Sequence, residues 1–127
     1  MVPDIEQTPE FDKCLKKLGK FRTIESDLET FKQAILAYYP DLKHYALDIV
    51  IIPGFGEEFM PVYKARKFRC QGLRSTQKIR LIYTYNPDTN KLIFIEIYFK
   101  GDREDHDIHL IRKYLVKRVN NQQARPA

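Results

Sequence analysis

The stretch from Lys78 to Phe99 reads KIRLIYTYNPDTNKLIFIEIYF, and it decides the fold. Apolar side chains recur at every second position on both sides of a central NPDTN, which is the pattern of two β-strands. The NPDTN segment is dense in turn-forming residues. We therefore predict a β-hairpin whose strands run from Lys78 to Tyr85 and from Lys91 to Phe99.

The rest of the chain predicts an α+β domain around this hairpin, in the order β-α-α-β-β-β-α. Thr8-Pro9-Glu10 is typical of a helix start, and a second amphipathic pattern follows at once, so the two helices form an antiparallel hairpin. The predicted elements are a short strand within 2–7, helices from about 9 to 18 and 23 to 38, a strand at 62–70, the hairpin, and a closing helix reaching 119. Asp105 or Asp107 is expected to cap that last helix.

One local prediction depends on strand alternation. In the second hairpin strand, strict alternation predicts two sets of side chains on opposite faces. The first set is Ile93, Ile95, Ile97 and Phe99, and the second is Leu92, Phe94, Glu96, Tyr98 and Lys100.

The segment 44–60 is harder to interpret, because the β-branched run from Leu47 to Ile52 is broken at once by Pro53-Gly54-Phe55-Gly56. We interpret it as a loop that contains one candidate strand.

Positive charge is concentrated in one part of the chain. The formal net charge is +5, yet 64–80 holds seven cations and no acidic residue: Lys64, Arg66, Lys67, Arg69, Arg74, Lys78 and Arg80. Such a field attracts polyanions, and nucleic acid is the commonest one. The segment therefore favours a protein that binds nucleic acid, with anionic lipid and an acidic protein partner as alternatives.

Strand geometry divides these cations. Lys64 and Arg66 lie two residues apart and therefore share a face, while Lys67 and Arg69 form a pair on the opposite face. If the strands are adjacent, Arg80 and Lys100 can converge with Lys64 and Arg66 on a site the size of one phosphate group. The alternative for each residue is an ordinary solvated cation.

Other patterns mainly exclude functions. Cys14 and Cys70 have no zinc-like spacing and are expected to be reduced thiols of a cytoplasmic protein. No apolar run is long enough for a membrane span, and no secretory signal begins the chain. His106 and His109 lie three apart but lack a clear third ligand, so no metal or other cofactor is expected. A histidine beside a basic cluster can instead transfer protons.

Four short motifs give the chain a resemblance to a known family. TPEFDK at 8–13 opens a lysine-rich helix, VYKAR at 62–66 and IRLIY at 79–83 lie on predicted strands, and IEIYFK at 95–100 leads to the last helix. In this order they resemble the RelE/ParE superfamily of bacterial toxins, over nearly the whole chain. The length of the chain and this resemblance both indicate a single domain at 1–119, and the polar residues after it predict a disordered tail at 120–127.

The resemblance also implies a function. Members are toxins of type II toxin–antitoxin pairs, and the RelE-like branch cleaves mRNA on the ribosome without a metal, through attack by the substrate's 2′-hydroxyl group. The implied partners are a cognate antitoxin, mRNA and the ribosome. The implied catalytic residues are Lys64 as base or phosphate ligand, Arg66, Arg80 and Lys100 as phosphate ligands, and His106 as proton donor to the leaving oxygen. The remaining cations are then an RNA-binding surface or an antitoxin-docking surface: Lys67, Arg69, Arg74 and Lys78.

Two alternatives share the same fold: a ParE-like inhibitor of gyrase, and a binding module for nucleic acid or protein without catalysis. The sequence also departs from the family's pattern. Lys100 stands where an arginine is frequent, and a lysine cannot bind phosphate in the bidentate way that an arginine can. Asp102, Glu104 and Asp105 lie next to the implied site and would repel RNA unless they point away or bind Arg103.

Overall fold

A computed structural model describes residues 1–71 and 78–118 of the chain. The strands are β1 (Asp4–Gln7), β2 (Ile49–Ile51), β3 (Val62–Phe68), β4 (Ile79–Asn86) and β5 (Lys91–Phe99). The helices are α1 (Pro9–Lys17), α2 (Ile24–Tyr38) and α3 (Ile108–Lys113), with short 3-10 turns at Leu18–Lys20 and Tyr45–Leu47. The predicted α+β order is confirmed, and the candidate strand near residue 50 is the added element β2.

The five strands form one mixed sheet in the order β1-β5-β4-β3-β2. β4 pairs antiparallel with both β3 and β5, as the predicted hairpin requires, and β2 extends the antiparallel part. β1 pairs with β5 in parallel. This parallel pairing is possible because α1 and α2 intervene between β1 and the other strands, which allows the chain to cross over the sheet.

The two N-terminal helices cover one face of the sheet. Thr8 begins α1 by accepting a hydrogen bond from the backbone N–H of Phe11 at 3.0 Å, and Pro9 occupies the first turn. Apolar side chains of both helices pack on the strands, with Phe11 and Phe31 each contacting Phe94. We call this side of the sheet the helical face.

A β-bulge in β5 corrects the predicted alternation. Ile82 pairs with Glu96 and Tyr83 pairs with Phe94, so Ile95 is an extra residue opposite this step of β4. Leu92 and Phe94 therefore belong to the core under the helices, together with Ile97 and Phe99. Strict alternation is wrong here because an inserted residue shifts the side-chain period by one position.

The opposite side of the sheet, which we call the α3 face, is covered only over part of its area. Val62, Ile82, Ile95 and Tyr98 pack there with Ile111 of α3 and with Ile52. The predicted closing helix is shorter than expected, because the chain leaves it after Lys113 to pair with 58–60. The backbone N–H of Met60 donates to Val116 at 2.6 Å, and Phe59 bridges Lys117. The predicted end of that helix at Val119, and the tail at 120–127, lie outside the described residues.

Candidate active site

The open part of the α3 face gathers three of the predicted cations. Lys64 and Arg66 project from β3, and Arg80 projects from the neighbouring β4, on the face opposite the helices. A second register shift lies between Ala65 and Phe68, and it brings the guanidinium of Arg80 to within 3.4 Å of the backbone oxygen of Arg66. Three of the four cations that were expected to converge therefore lie on one face of two neighbouring strands, and their role as a phosphate site stays a prediction.

His106 joins this cluster through Asp105. The Lys64 ammonium lies 3.0 Å from Asp105 Oδ1, and that oxygen also accepts a hydrogen bond from the His106 backbone N–H at 2.9 Å. His106 Nδ1 lies 2.7 Å from the same oxygen but is not aligned for a hydrogen bond. The side chains of Lys64 and His106 are only 15% and 12% exposed, whereas the Asp105 side chain is 69% exposed, so the carboxylate side of this contact faces solvent.

The environment of His106 decides its resting charge. Burial lowers the pKa of His106 below its usual value, and the positive charge of Lys64 lowers it further, while Asp105 and Glu96 act in the opposite direction. A histidine whose pKa is lowered in this way is neutral at neutral pH. In the resting protein His106 is therefore a proton acceptor.

Arg66 is held by a loop residue. Its Nη2 donates to Asp48 Oδ1 at 2.9 Å, and its backbone N–H donates to the Asp48 carbonyl at 3.2 Å. Asp48 has a left-handed backbone conformation (φ 48°), which an aspartate tolerates better than most residues. Arg66 Nε, by contrast, is buried without a hydrogen-bond partner in the described part of the chain.

A third arginine reaches the site through a buried carboxylate. Glu96 of β5 is fully buried, and it accepts hydrogen bonds from the Arg103 guanidinium and, at 3.0 Å, from the Asp107 backbone N–H. The Arg103 guanidinium also lies over the ring of Tyr98, 4.8 Å from its centre. Burial raises the pKa of Tyr98 to about 12, so its hydroxyl keeps its proton at neutral pH.

Sequence reasoning missed Arg103 as a site residue, although a signal was present. Glu96 stands alone among apolar residues in IFIEIYF, and a carboxylate in such a strand is rarely buried without a cationic partner. Arg103 is the cation that the turn after β5 provides.

With this geometry the sheet and its site can be compared with solved structures. A chain of the archaeal RelE–RelB complex from Pyrococcus horikoshii OT3 matches with a TM-score of 0.52 and 18% identity, over 80% of this chain and 98% of that chain. The free form of an E. coli RelE toxin in which two arginines are replaced by alanine matches with a TM-score of 0.50 and 18% identity, over 82% and 90%. The chain has a RelE-like fold. No family model matches the sequence, and no curated protein gives a significant match.

Not every predicted residue lies in this part of the RelE-like fold. Lys100 and Lys78 lie at the strand ends, joined by a backbone hydrogen bond of 2.7 Å, and both are exposed. None of the contacts found within 1–71 and 78–118 joins the Lys100 side chain to Lys64, Arg66 or His106. Arg74 lies outside the described residues.

Lys67 and Arg69 occupy a different surface of the RelE-like fold. Both are exposed, and both line a groove between β3 and α2 that also contains Phe31 and Ala34. The pair borders α2, but simple alternation does not account for this position. The register shift between Ala65 and Phe68 inserts one residue, and Phe68 and Cys70 are the side chains that enter the core under the helices.

The acidic side chains of the turn after Lys100 lie in two different surroundings. Asp102 forms an ion pair with Lys20 at 2.8 Å, in the direction of the 3-10 turn after α1. Asp105, in contrast, points into the site and neutralises Lys64. Arg103 is bound by Glu96 and not by these acids.

Two further properties of the described residues bear on function. Within the described ranges, no three His, Cys, Asp or Glu side chains come together in an arrangement that could hold a metal ion. Among the helices that the structure describes, none combines the length and the apolar character needed to cross a bilayer.

Proposed function

We propose that this protein is the toxin of a type II toxin–antitoxin pair and cleaves mRNA on the ribosome. One observation carries the proposal. The buried side-chain polar atoms that lack a hydrogen bond within the described residues are Arg66 Nε and His106 Nδ1. Both belong to the same candidate site, and such unsatisfied groups are uncommon enough to suggest a catalytic role.

The proposed reaction is transesterification by the RNA itself. The substrate's 2′-oxygen attacks the adjacent phosphorus, the bond from phosphorus to the 5′-oxygen breaks, and the products are a 2′,3′-cyclic phosphate and a 5′-hydroxyl group. One proton must leave the 2′-hydroxyl, and one must reach the 5′-oxygen. The residues of the site can supply both transfers, so the proposed reaction needs no metal or other cofactor.

The lowered pKa of His106 favours one direction of proton transfer. Since His106 is neutral before the reaction, we assign it as the base that accepts the proton of the 2′-hydroxyl group. The Lys64 ammonium then faces the leaving oxygen as the donor. This reverses the roles that the family resemblance implies, while it keeps the same two residues.

In this proposal the arginines stabilise the negative charge on the pentacoordinate phosphorane. Arg66 and Arg80 lie side by side on adjacent strands, and Arg103 approaches from the turn beyond β5. Fixed guanidinium groups stabilise developing negative charge because they need no reorganisation during the reaction. Lys100 remains a candidate phosphate ligand at the edge of the site.

The partners follow from the same proposal. The archaeal structural neighbour was solved as a RelE–RelB complex, and we propose that a cognate antitoxin covers the basic surface of this chain as well. Exposed cationic side chains and a net charge of +5 suit an acidic partner. Action on mRNA and the ribosome places the protein in the cytoplasm.

Induced expression in bacteria tests this function. Wild type, Arg66→Ala and Arg80→Ala are compared, with Lys13→Ala on the exposed side of α1 as the matched control. The proposal expects growth arrest with cleaved mRNA for wild type and the control only. Arrest with DNA damage and intact mRNA would indicate gyrase inhibition, and no arrest from any variant would favour a non-toxic binding module.

A further inference from the structure

The groove between α2 and β3 ends at a stack of aromatic rings. The rings of Tyr38 and His44 are parallel, with centres 3.6 Å apart, and the Tyr45 ring stacks on His44 at 4.6 Å. Tyr45 is 85% exposed. His44 is fixed in place because its Nδ1 accepts a hydrogen bond from the Ala46 backbone N–H at 3.1 Å.

The stack and the two groove cations border the same surface. Ala34 and Ala46 line the groove together with Lys67 and Arg69. Tyr38 lies one helical turn after Ala34, and Tyr45 precedes Ala46, so the stack stands at that end of the groove. Two cations and an exposed aromatic ring therefore border the same groove.

These cations differ from those of the candidate active site. Lys64, Arg66 and Arg103 are each paired with a carboxylate, which weakens their attraction for an incoming phosphate. Lys67 and Arg69 form no ion pair with any residue in 1–71 or 78–118. The carboxylate in the groove, Asp27, is buried and accepts hydrogen bonds from Thr23 and from the Gln71 backbone N–H.

From this arrangement we infer that the groove is a second RNA-binding site, in which Lys67 and Arg69 bind backbone phosphates and Tyr45 stacks on an unpaired base. Cations that follow a backbone beside an exposed aromatic ring are the features by which proteins bind single-stranded nucleic acid. The cavity, about 200 Å³, is smaller than the usual range for small-molecule sites. An extended chain fits it better than an enclosed ligand.

The inference rests on the proposed function, because it assigns to the same RNA a second point of contact. The groove lies beside α2, whereas the candidate active site lies on the α3 face. A strand bound at both places must pass around the edge of the sheet at β2. The groove then holds RNA outside the scissile region, at two cations that no carboxylate of the described residues pairs with.

Binding of a fluorescein-labelled, unstructured RNA oligonucleotide to the purified full chain tests the inference. Tyr45→Ala should weaken binding about 5- to 100-fold, whereas Tyr45→Phe should retain the wild-type affinity. Lys67→Ala/Arg69→Ala should weaken binding and lower the salt dependence of log K by about 0.7 for each phosphate that is no longer neutralised. Lys13→Ala/Lys16→Ala, which removes two exposed charges from α1, is the matched control and should change neither.

Two results would overturn the inference. The first is an unchanged RNA affinity in Tyr45→Ala, with circular dichroism showing a folded protein. The second is equal binding of polyglutamate and RNA that depends on Lys67 and Arg69 but not on Tyr45, which would assign the groove to an acidic protein segment. Neither result concerns cleavage, which Arg66→Ala and Arg80→Ala test separately, so the two proposals can fail independently.

Discussion

The carboxylate of Asp105 lies 3.0 Å from the ammonium of Lys64, the group that we propose as the proton donor to the leaving oxygen. The same oxygen accepts a hydrogen bond from the backbone of His106. The turn after β5 therefore brings a proton acceptor to the site and also places a negative charge on its central lysine. Substrate binding must displace or tolerate this carboxylate.

Asp105→Asn should raise the affinity of the protein for RNA about 2- to 5-fold at low salt, since a largely exposed ion pair contributes little to stability. Fluorescence anisotropy with a labelled RNA measures the change. Asp102→Asn is the matched control, because Asp102 lies in the same turn but pairs with Lys20. A lower affinity in Asp105→Asn would show that this carboxylate is needed to position the site.

The pH dependence of cleavage tests the role of His106. Its pKa in the free protein lies below 6.5, and a base acts only in its deprotonated form. The second-order rate constant for cleavage of mRNA on programmed ribosomes should therefore rise with pH through a midpoint below 6.5 and then level off. His106→Asn should remove this rise and slow cleavage by about 100-fold or more. A rate that falls as pH rises through this region would instead assign His106 as the proton donor.

Glu10 of α1 binds residues at the end of α3, and its lowered pKa predicts a loss of stability in acid. Hydrogen bonds from Lys113 and then Tyr114 lower the pKa of Glu10 from 4.5 to about 2. Because the folded pKa is the lower one, the stabilisation is complete above pH 4.5 and is lost as pH falls towards 2. Urea denaturation should show a smaller loss between these pH values in Glu10→Gln than in wild type. Glu25→Gln, an exposed carboxylate of α2, should behave as wild type does.

Glu96→Gln tests the buried carboxylate that holds the turn after β5. The amide keeps the shape but removes the charge-assisted bond to Arg103, so the free energy of unfolding should fall by about 1–3 kcal/mol. Amide hydrogen exchange at 100–107 should also accelerate, because the Asp107 backbone N–H depends on the same carboxylate. Glu104→Gln in the same turn provides the control. Unchanged exchange in Glu96→Gln would mean that other contacts fix the turn.

The parts of the fold that could be predicted from the sequence are mostly those that local patterns determine. The limits of β5 and the Thr8 cap of α1 follow from alternation and from turn and cap residues, which act over a few positions. The bulge at Ile95 could not be predicted, because β5 is apolar on both faces and the pattern does not register one inserted residue. The end of α3 depends on pairing with 58–60, which is remote in sequence.

The candidate site was predictable in its cations and not in their partners. Strand parity is sufficient to bring Lys64 and Arg66 to one face, and the adjacent β4 adds Arg80. The pairing of Lys64 with Asp105, and of Arg66 with Asp48, joins residues that are distant in the chain, and no spacing rule connects them. These pairs decide which cations of the candidate site are neutralised by a carboxylate.

The chemistry of the cut RNA ends tests the central proposal most directly. Programmed ribosomes are incubated with wild type, Arg66→Ala and His106→Asn, and the 3′ ends of the mRNA fragments are analysed before and after treatment with a cyclic phosphodiesterase. We predict 2′,3′-cyclic phosphate ends and 5′-hydroxyl ends with wild type, reduced about 100-fold or more in both variants. Intact mRNA with wild type, or fragments that carry 3′-hydroxyl ends, would contradict cleavage by 2′-hydroxyl attack at this site.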